Sequence, residues 1–203
     1  LIGSIRDESE MITAVLLAAG ESRRMGAFKQ LLPLGGKTFV EHCVDQLLAS
    51  PVDEVIVVTG HRRADVERAV GDRPVRFAHN DDYRSGMASS IKCGIRAASE
   101  TSRAFVIALV DQPQVDAGAV GALVRAHEKQ QPAIVVPTYH GKNGHPILVD
   151  ARLKQEILSM DVGGGLRRVV RAHAGEVVRV EVSSPAVVTD FDLPEDYERL
   201  RSS

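Results

Sequence analysis

Apolar residues in this chain fall into short continuous runs and helical stripes, and the two patterns alternate over most of its length. Ile12 to Leu17 is an apolar run with a β-branched start, as suits a strand buried on both faces, and it breaks at Ala18-Ala19-Gly20. Thr38 precedes Glu41 at capping-box spacing. Phe39, Val40, Cys43, Val44, Leu47 and Leu48 then recur at helical spacing, and the helix runs to Ser50, where Pro51 stops it. The pattern predicts a strand over Glu54–Thr59, a helix over Arg62–Val70, a strand over Val75–Ala78, and a helix from Gly86 to Ala98 with Ile91, Ile95 and Ala98 on one face. Ala104–Val110 is the strongest buried-strand signal, ended abruptly by Asp111-Gln112-Pro113. Asp116 caps a helix reaching Lys129, with Val120, Leu123, Val124 and His127 on one side.

Two strands, Ala133–Pro137 and His145–Val149, flank a polar turn over Thr138–Gly144. Asp150 caps a helix bearing Leu153, Ile157 and Leu158, and the glycines from Gly163 to Gly165 lead into a helix over Leu166–Ala172. Val177–Val182 and Ala186–Thr189 read as late strands, and a last helix ends at Leu200. Alternation of this kind predicts an α/β fold. It is a Rossmann-like three-layer α/β/α arrangement with a mostly parallel central sheet and right-handed crossovers. The closer strands after Ala133 predict a mixed, partly antiparallel extension. Ligands in such sheets bind beyond the carboxyl ends of the strands. The loop after Leu17, the loop at Asp111 and the turn at Asp190 therefore open on one edge.

Composition narrows the reading. The 203 residues, 44% of them hydrophobic, fit one domain with a full core. A formal net charge of -2 gives no general reason to expect nucleic acid or an anionic membrane as partner, so local basic clusters must carry any anion binding. No run is long and apolar enough to span a bilayer, no signal peptide precedes the first strand, and the expected compartment is the cytoplasm. Leu1 to Glu10 is polar and aperiodic and precedes Met11. It reads as expression-vector residue or a disordered arm, leaving residues 11–203 as a single domain. Two cysteines, Cys43 and Cys93, form no disulfide framework, and each is expected to be a buried helical thiol.

Val15 to Lys29, VLLAAGESRRMGAFK, places a loop off the carboxyl end of a strand and equips it with Arg23, Arg24 and Lys29. Free backbone N–H groups and these cations suit a polyanion such as a triphosphate, although a basic surface turn has the same composition. The stretch matches neither GxxxxGK[ST] nor GxGxxG. Asp111 is a helix cap, a turn former or a metal ligand; Asp190 and Asp192 precede Pro194, and Asp192 with Glu195 fits a capping box equally well. If Asp111 and one late aspartate share a side of the sheet, their oxygens and those of phosphate can hold Mg²⁺.

Such a site suits nucleotidyl transfer. Lys29 and the ion would neutralise the triphosphate as its α-phosphate is attacked and pyrophosphate leaves. Arg24 would grip the β- and γ-phosphates. A phosphate nucleophile is already ionised near neutral pH, so no general base is demanded. The seven histidines form no zinc spacing. His127 falls on a core face, and His145, between Gly144 and Pro146, is placed near substrate. Ser89 and Ser90 are either a phosphate contact at a helix start or ordinary early-turn residues, and no serine sits in a G-x-S-x-G elbow.

LAAGESRRMGAFKQLLPLGGKTFVEH resembles the opening of the glycosyltransferase-A-like nucleotidyltransferases, the nucleotide-diphospho-sugar transferase type of fold. Within them the chain is most similar to molybdenum cofactor cytidylyltransferases of the molybdopterin-guanine dinucleotide synthase-like group. The resemblance continues at Asn80, at GMASSI from Gly86, at VDQP from Val110, at GHPILV from Gly144 and at DFDLPEDYERL from Asp190, so it spans nearly the whole chain from Ile12. It implies that Leu17, Ala18, Ala19 and Gly20 surround base and ribose, and that Arg24, Gly26 and Lys29 hold the phosphates. It implies Mg²⁺ on Asp111, with Asp192 preferred over Asp190 as second ligand. Gly86, Ser89 and Ser90 would border nucleotide and acceptor, and Asn143 to Pro146 would lie toward the pterin, with the mixed strands covering the acceptor.

The implied reaction joins CTP and molybdenum-bound molybdopterin, gives the cytosine dinucleotide cofactor and pyrophosphate, and supplies a molybdoenzyme or its chaperone. Phe191 and Leu193 replace the more usual isoleucine and threonine with residues of similar bulk or apolar character. Ala19 matches the cytidylyl pattern better than the AGG of guanylyltransferases, since its Cβ narrows the space beside a base. The opening also resembles cytidylyltransferases of methylerythritol phosphate and sugar-phosphate nucleotidyltransferases. A non-catalytic nucleotide- or molybdopterin-binding protein is the reading from a different class.

Overall fold

The computed structural model of the protein describes residues 11–161 and 164–201; the arm expected over residues 1–10, and Gly163, lie outside them. The chain begins with strand β1 (Met11–Leu17), followed by a small hairpin of β2 (Pro33–Leu34) and β3 (Lys37–Thr38). Helix α1 (Phe39–Leu48), β4 (Glu54–Thr59), α2 (Arg63–Val70), β5 (Arg76–His79), α3 (Met87–Ala97) and β6 (Ser102–Leu109) come next. The second half holds α4 (Ala117–Gln130), β7 (Ile134–Tyr139), β8 (Lys142–Asn143), β9 (Ile147–Asp150), α5 (Lys154–Ser159), α6 (Gly165–Ala172), β10 (Val177–Glu181) and α7 (Pro194–Arg201).

The main sheet runs β10-β7-β9-β6-β1-β4-β5, with β8 also paired to β7. β1 lies in its interior, parallel to β4 on one side and to β6 on the other. β4–β5 and β10–β7 are also parallel, whereas β9 runs antiparallel to both β6 and β7. This is the expected three-layer fold with a mostly parallel, partly mixed sheet. Successive side chains of a strand point to opposite faces. Val15 and Leu17 of β1 accordingly join Ile91, Ile95, Ile157 and Val169 in one apolar cluster. Ile12, Ala14 and Leu16 join Val40, Val44, Val66 and Leu123 in the other. Both faces of β1 are covered, which is why its sequence does not alternate.

The expected caps form. Thr38 and Glu41 make a reciprocal capping box, and the Asp116 carboxylate accepts from the amide of Ala119. Gly94 lets α3 lie close on the sheet: a Cβ there would stand 2.2 Å from Val15 Cγ1 and 2.9 Å from Val58 Cγ2. Both neighbours are β-branched residues fixed in strands. Gly94→Ala is therefore expected to destabilise the fold by about 1–3 kcal/mol, read as a lower denaturation midpoint at unchanged slope.

Three local expectations are corrected. Ala186–Thr189 is no strand: Pro185–Val188 forms a 3-10 turn, started by Pro185 and by the Ser184 hydroxyl accepting from Ala186 N–H. The carbonyl of Val187 is taken by His145 N–H and the Gln112 side chain, so no ladder forms there. Thr138 and Tyr139 extend β7, and the chain folds back as β8 through His140 and Gly141, both at positive φ. Cys43 is buried as expected, but Cys93 is only half-buried.

Candidate active site

A cleft of about 330 Å³ opens beyond the carboxyl ends of β1 and β6. Its walls come from the loop after β1, the start of α3, the segment following β6 and the chain just ahead of α7. Each wall has a sequence reason. The apolar run of β1 ends where small residues and then polar ones leave the sheet. Ser22 takes a left-handed backbone at φ 55° and Gly26 another at φ 69°, which turns the loop back toward Lys29. The amide of Phe191 donates to the carbonyl of Asp111 at 3.0 Å, which ties the late segment to the end of β6. Phe191, Tyr197 and Leu200 anchor that segment on Met25 and Phe39 in a third apolar cluster.

At the cleft's centre Lys29, only 7% exposed, places Nζ 2.6 Å from Asp192 Oδ1 and 3.4 Å from Asp111 Oδ2. Arg24 reaches Asp192 Oδ2 at 2.7 Å. Two aspartates far apart in sequence thus converge on one ammonium group. Burial pushes the Asp111 carboxyl above the usual carboxylate range, with Asp190 and Asp192 adding to the rise and Lys29 opposing it. Burial acts in the same sense on Asp192, but Lys29 and Arg24 outweigh it and hold that carboxyl below the usual range.

Asp192 does not cap α7. The carbonyl of Leu193 receives the amides of Asp196 and Tyr197, and Asp196 Oδ2 reaches back to accept from the amides of Asp192 at 3.2 Å and Leu193 at 2.9 Å. The carboxylate of Asp190 is engaged by Gln112 Nε2 at 2.7 Å. Of the two late aspartates, Asp192 is therefore the one facing Lys29 and Arg24.

Leu17, Ala19, Gly20, Arg24, Lys29, Gly86, Ser90, Asp111 and Asp192 all line the cleft. Ala18, Gly26, Asn80, Ser89 and His145 are not among its lining residues. Ala18 is fully buried in the core. Asn80 is buried behind the cleft wall, where Nδ2 donates to Ser89 Oγ at 2.9 Å and Ser90 Oγ at 3.0 Å, fixing the start of α3. The Ser89 hydroxyl donates to the carbonyls of Asp82 and Gly86. His145 sits beside the Pro185–Val188 turn, and burial lowers its pKa, with Asp190 opposing and Arg167 reinforcing. A Cβ on Gly144 would lie 2.1 Å from the Val187 carbonyl oxygen, so this contact requires glycine. His127 is structural, hydrogen-bonded through Nε2 to Asp150 at 2.8 Å.

Ser22, Met25, Gln30, Tyr83, Met87, Leu109 and Val110 also line the cleft, and the sequence pattern alone does not single them out as site residues. A polar Gln30 directly before Leu31-Leu32 was the available signal; it is 1% exposed. The donors present fit a hard divalent cation. Asp111 Oδ1 is buried without a hydrogen-bond partner, and the nearest acidic neighbours contribute oxygen only. No group of three or more His, Cys, Asp or Glu ligands occurs among the described residues. Mg²⁺ commonly takes one or two carboxylates and completes its shell with phosphate and water.

Residues 14–177 match the MobA-like NTP transferase domain family. Nicotine blue oxidoreductase of Paenarthrobacter nicotinovorans is 33% identical over 198 residues, covering 93% of this chain and 96% of that protein. Molybdenum cofactor cytidylyltransferase of Escherichia coli K12 is 26% identical over 187 residues, covering 92% and 93%. Among solved structures, the manganese complex of Rv0371c from Mycobacterium tuberculosis superposes with a TM-score of 0.79 at 25% identity, covering 96% of this chain and 99% of that one.

Proposed function

This chain belongs to the MobA-like NTP transferase domain family, and from that premise we propose that it moves a CMP group from CTP to molybdenum-bound molybdopterin and releases pyrophosphate. Family and fold support transfer of a nucleoside monophosphate from a nucleoside triphosphate as the general reaction. Relatives named for an oxidoreductase and for a cytidylyltransferase leave base and acceptor to be argued from the site. The observation that carries the reading is the meeting of Arg24, Lys29, Asp111 and Asp192 in one cleft.

Leu17, Ala19 and Gly20 would receive base and ribose. Ala19 lies on that wall, where its Cβ in place of a glycine would favour a pyrimidine over a purine. Arg24 and Lys29 would leave Asp192 for the phosphate oxygens, neutralising charge that grows as pyrophosphate departs. Asp111 and Asp192 would hold Mg²⁺, which when bound supplies charge neutralisation on the phosphates. Ser90 and Gly86 would border the acceptor phosphate, which is ionised near neutral pH and needs no general base. The Gly144-His145-Pro146 segment would face the pterin side, with Asn80 and Ser89 holding Ser90 in place. The product would pass to a molybdoenzyme or its chaperone in the cytoplasm; no described helix is long and apolar enough to cross a membrane.

An acceptor panel tests the reaction. With Mg²⁺ and radiolabelled CTP, label is expected to enter a cytosine dinucleotide when molybdenum-loaded molybdopterin is supplied. Transfer instead to methylerythritol phosphate or to a sugar phosphate would replace the acceptor. No transfer to any of them by protein that binds CTP would favour a binding-only role.

A further inference from the structure

Gln30 spends its whole side chain on the cleft loop. Its Nε2 donates to the carbonyls of Ala18 at 3.0 Å and Gly20 at 2.8 Å, and its Oε1 accepts from Ser22 Oγ at 3.0 Å. The same Ser22 oxygen accepts from the amide of Lys29 at 3.0 Å. The carbonyl between them, on Ala19, accepts from the amide of His61 at 3.1 Å. Three successive carbonyl oxygens are therefore satisfied inside the protein. The amides of Ala19, Gly20 and Glu21 donate to no protein acceptor among the described residues, and Ala19 and Gly20 line the cleft.

A loop that met a triphosphate with its carbonyl oxygens would repel it, whereas one that keeps them turned inward offers N–H groups and cations. In a planar trans peptide the C=O of one residue and the N–H of the next point in opposite directions. Fixing the carbonyls of Ala18 and Gly20 thus also fixes the amides of Ala19 and Glu21. We propose that Gln30 is a positioning residue that sets the peptide orientation of this loop for phosphate, acting through backbone and Ser22 rather than by touching the nucleotide. The inference rests on the proposal that a triphosphate binds here.

The test separates phosphate from base. Wild-type protein and the Gln30→Leu variant are titrated with Mg²⁺ and three probes: CTP, inorganic tripolyphosphate and cytidine. Leucine keeps the bulk but removes the donors and the acceptor. The variant is expected to lose about tenfold or more in affinity for CTP and tripolyphosphate and to keep its affinity for cytidine, since one or two hydrogen bonds of orientation are worth about that factor. Ser22→Gly serves if Gln30→Leu does not fold, because glycine suits the positive φ there and removes the hydroxymethyl group without backbone strain. It is expected to weaken tripolyphosphate a few-fold with an unchanged melting temperature. Unchanged tripolyphosphate affinity in a folded variant, or an equal loss for cytidine, overturns the positioning role. Wild-type protein that binds neither CTP nor tripolyphosphate overturns the nucleotide reading itself.

Discussion

Asp111→Asn is expected to abolish turnover while leaving the protein folded. The carboxylate sits at the end of β6, facing Lys29 at 3.4 Å, with its other oxygen buried and unpartnered. Asparagine keeps the size and shape but lowers the negative charge available to a divalent ion. Removing one preorganised electrostatic partner of a transition state commonly costs about 10²–10³ in kcat, and loss of a metal ligand costs at least as much. The stability effect runs the other way. Burial raises the Asp111 pKa, so holding this group ionised at neutral pH is a cost to the folded state. Asparagine removes that cost, and Lys29 keeps its shorter contact with Asp192 at 2.6 Å. The melting temperature is therefore expected to stay level or rise, the pattern of a group retained for activity. Near wild-type turnover by this variant, or by Asp111→Ala, would show that the metal assignment is wrong.

Lys29→Met is expected to lower kcat/KM by about 10²–10³, through weaker triphosphate binding and less transition-state stabilisation. Methionine retains the buried stem and deletes the ammonium. Unlike Asp111→Asn, it should also lower the melting temperature. Two carboxylates would then share a partly buried site without the cation that now lies between them. Opposite melting shifts in two variants that both lose activity would separate chemistry from folding. Unchanged kinetics in the folded Lys29→Met protein would remove Lys29 from the mechanism.

The layers of the fold were legible because their causes are local. Apolar runs marked the strands, and Thr38 with Glu41 and Asp116 marked helix starts that the structure bears out. Ala186–Thr189 misled because its valines suit a strand, while Pro185, the Ser184 hydroxyl and two donors to the Val187 carbonyl decide otherwise. The cleft was legible in part. Arg24, Lys29 and Asp111 stand beside abrupt ends of apolar runs, which flags them. Asp192 had an equally good local explanation as a helix cap, and its long-range contacts with Lys29 and Arg24 distinguish the two. Asn80, Ser89 and His145 are part of the family-like pattern yet stand outside the cleft lining, bonded to neighbouring protein groups. Gln30 carried little signal because its partners are backbone carbonyls, and sequence does not show which way a peptide is turned.

Pyrophosphate release is the most direct test of the central claim. Protein, Mg²⁺ and molybdenum-loaded molybdopterin would be combined with CTP, GTP and ATP in parallel. The account predicts release that depends on acceptor and is strongest with CTP. Absence of release with every nucleotide, from folded protein and intact acceptor, would contradict it.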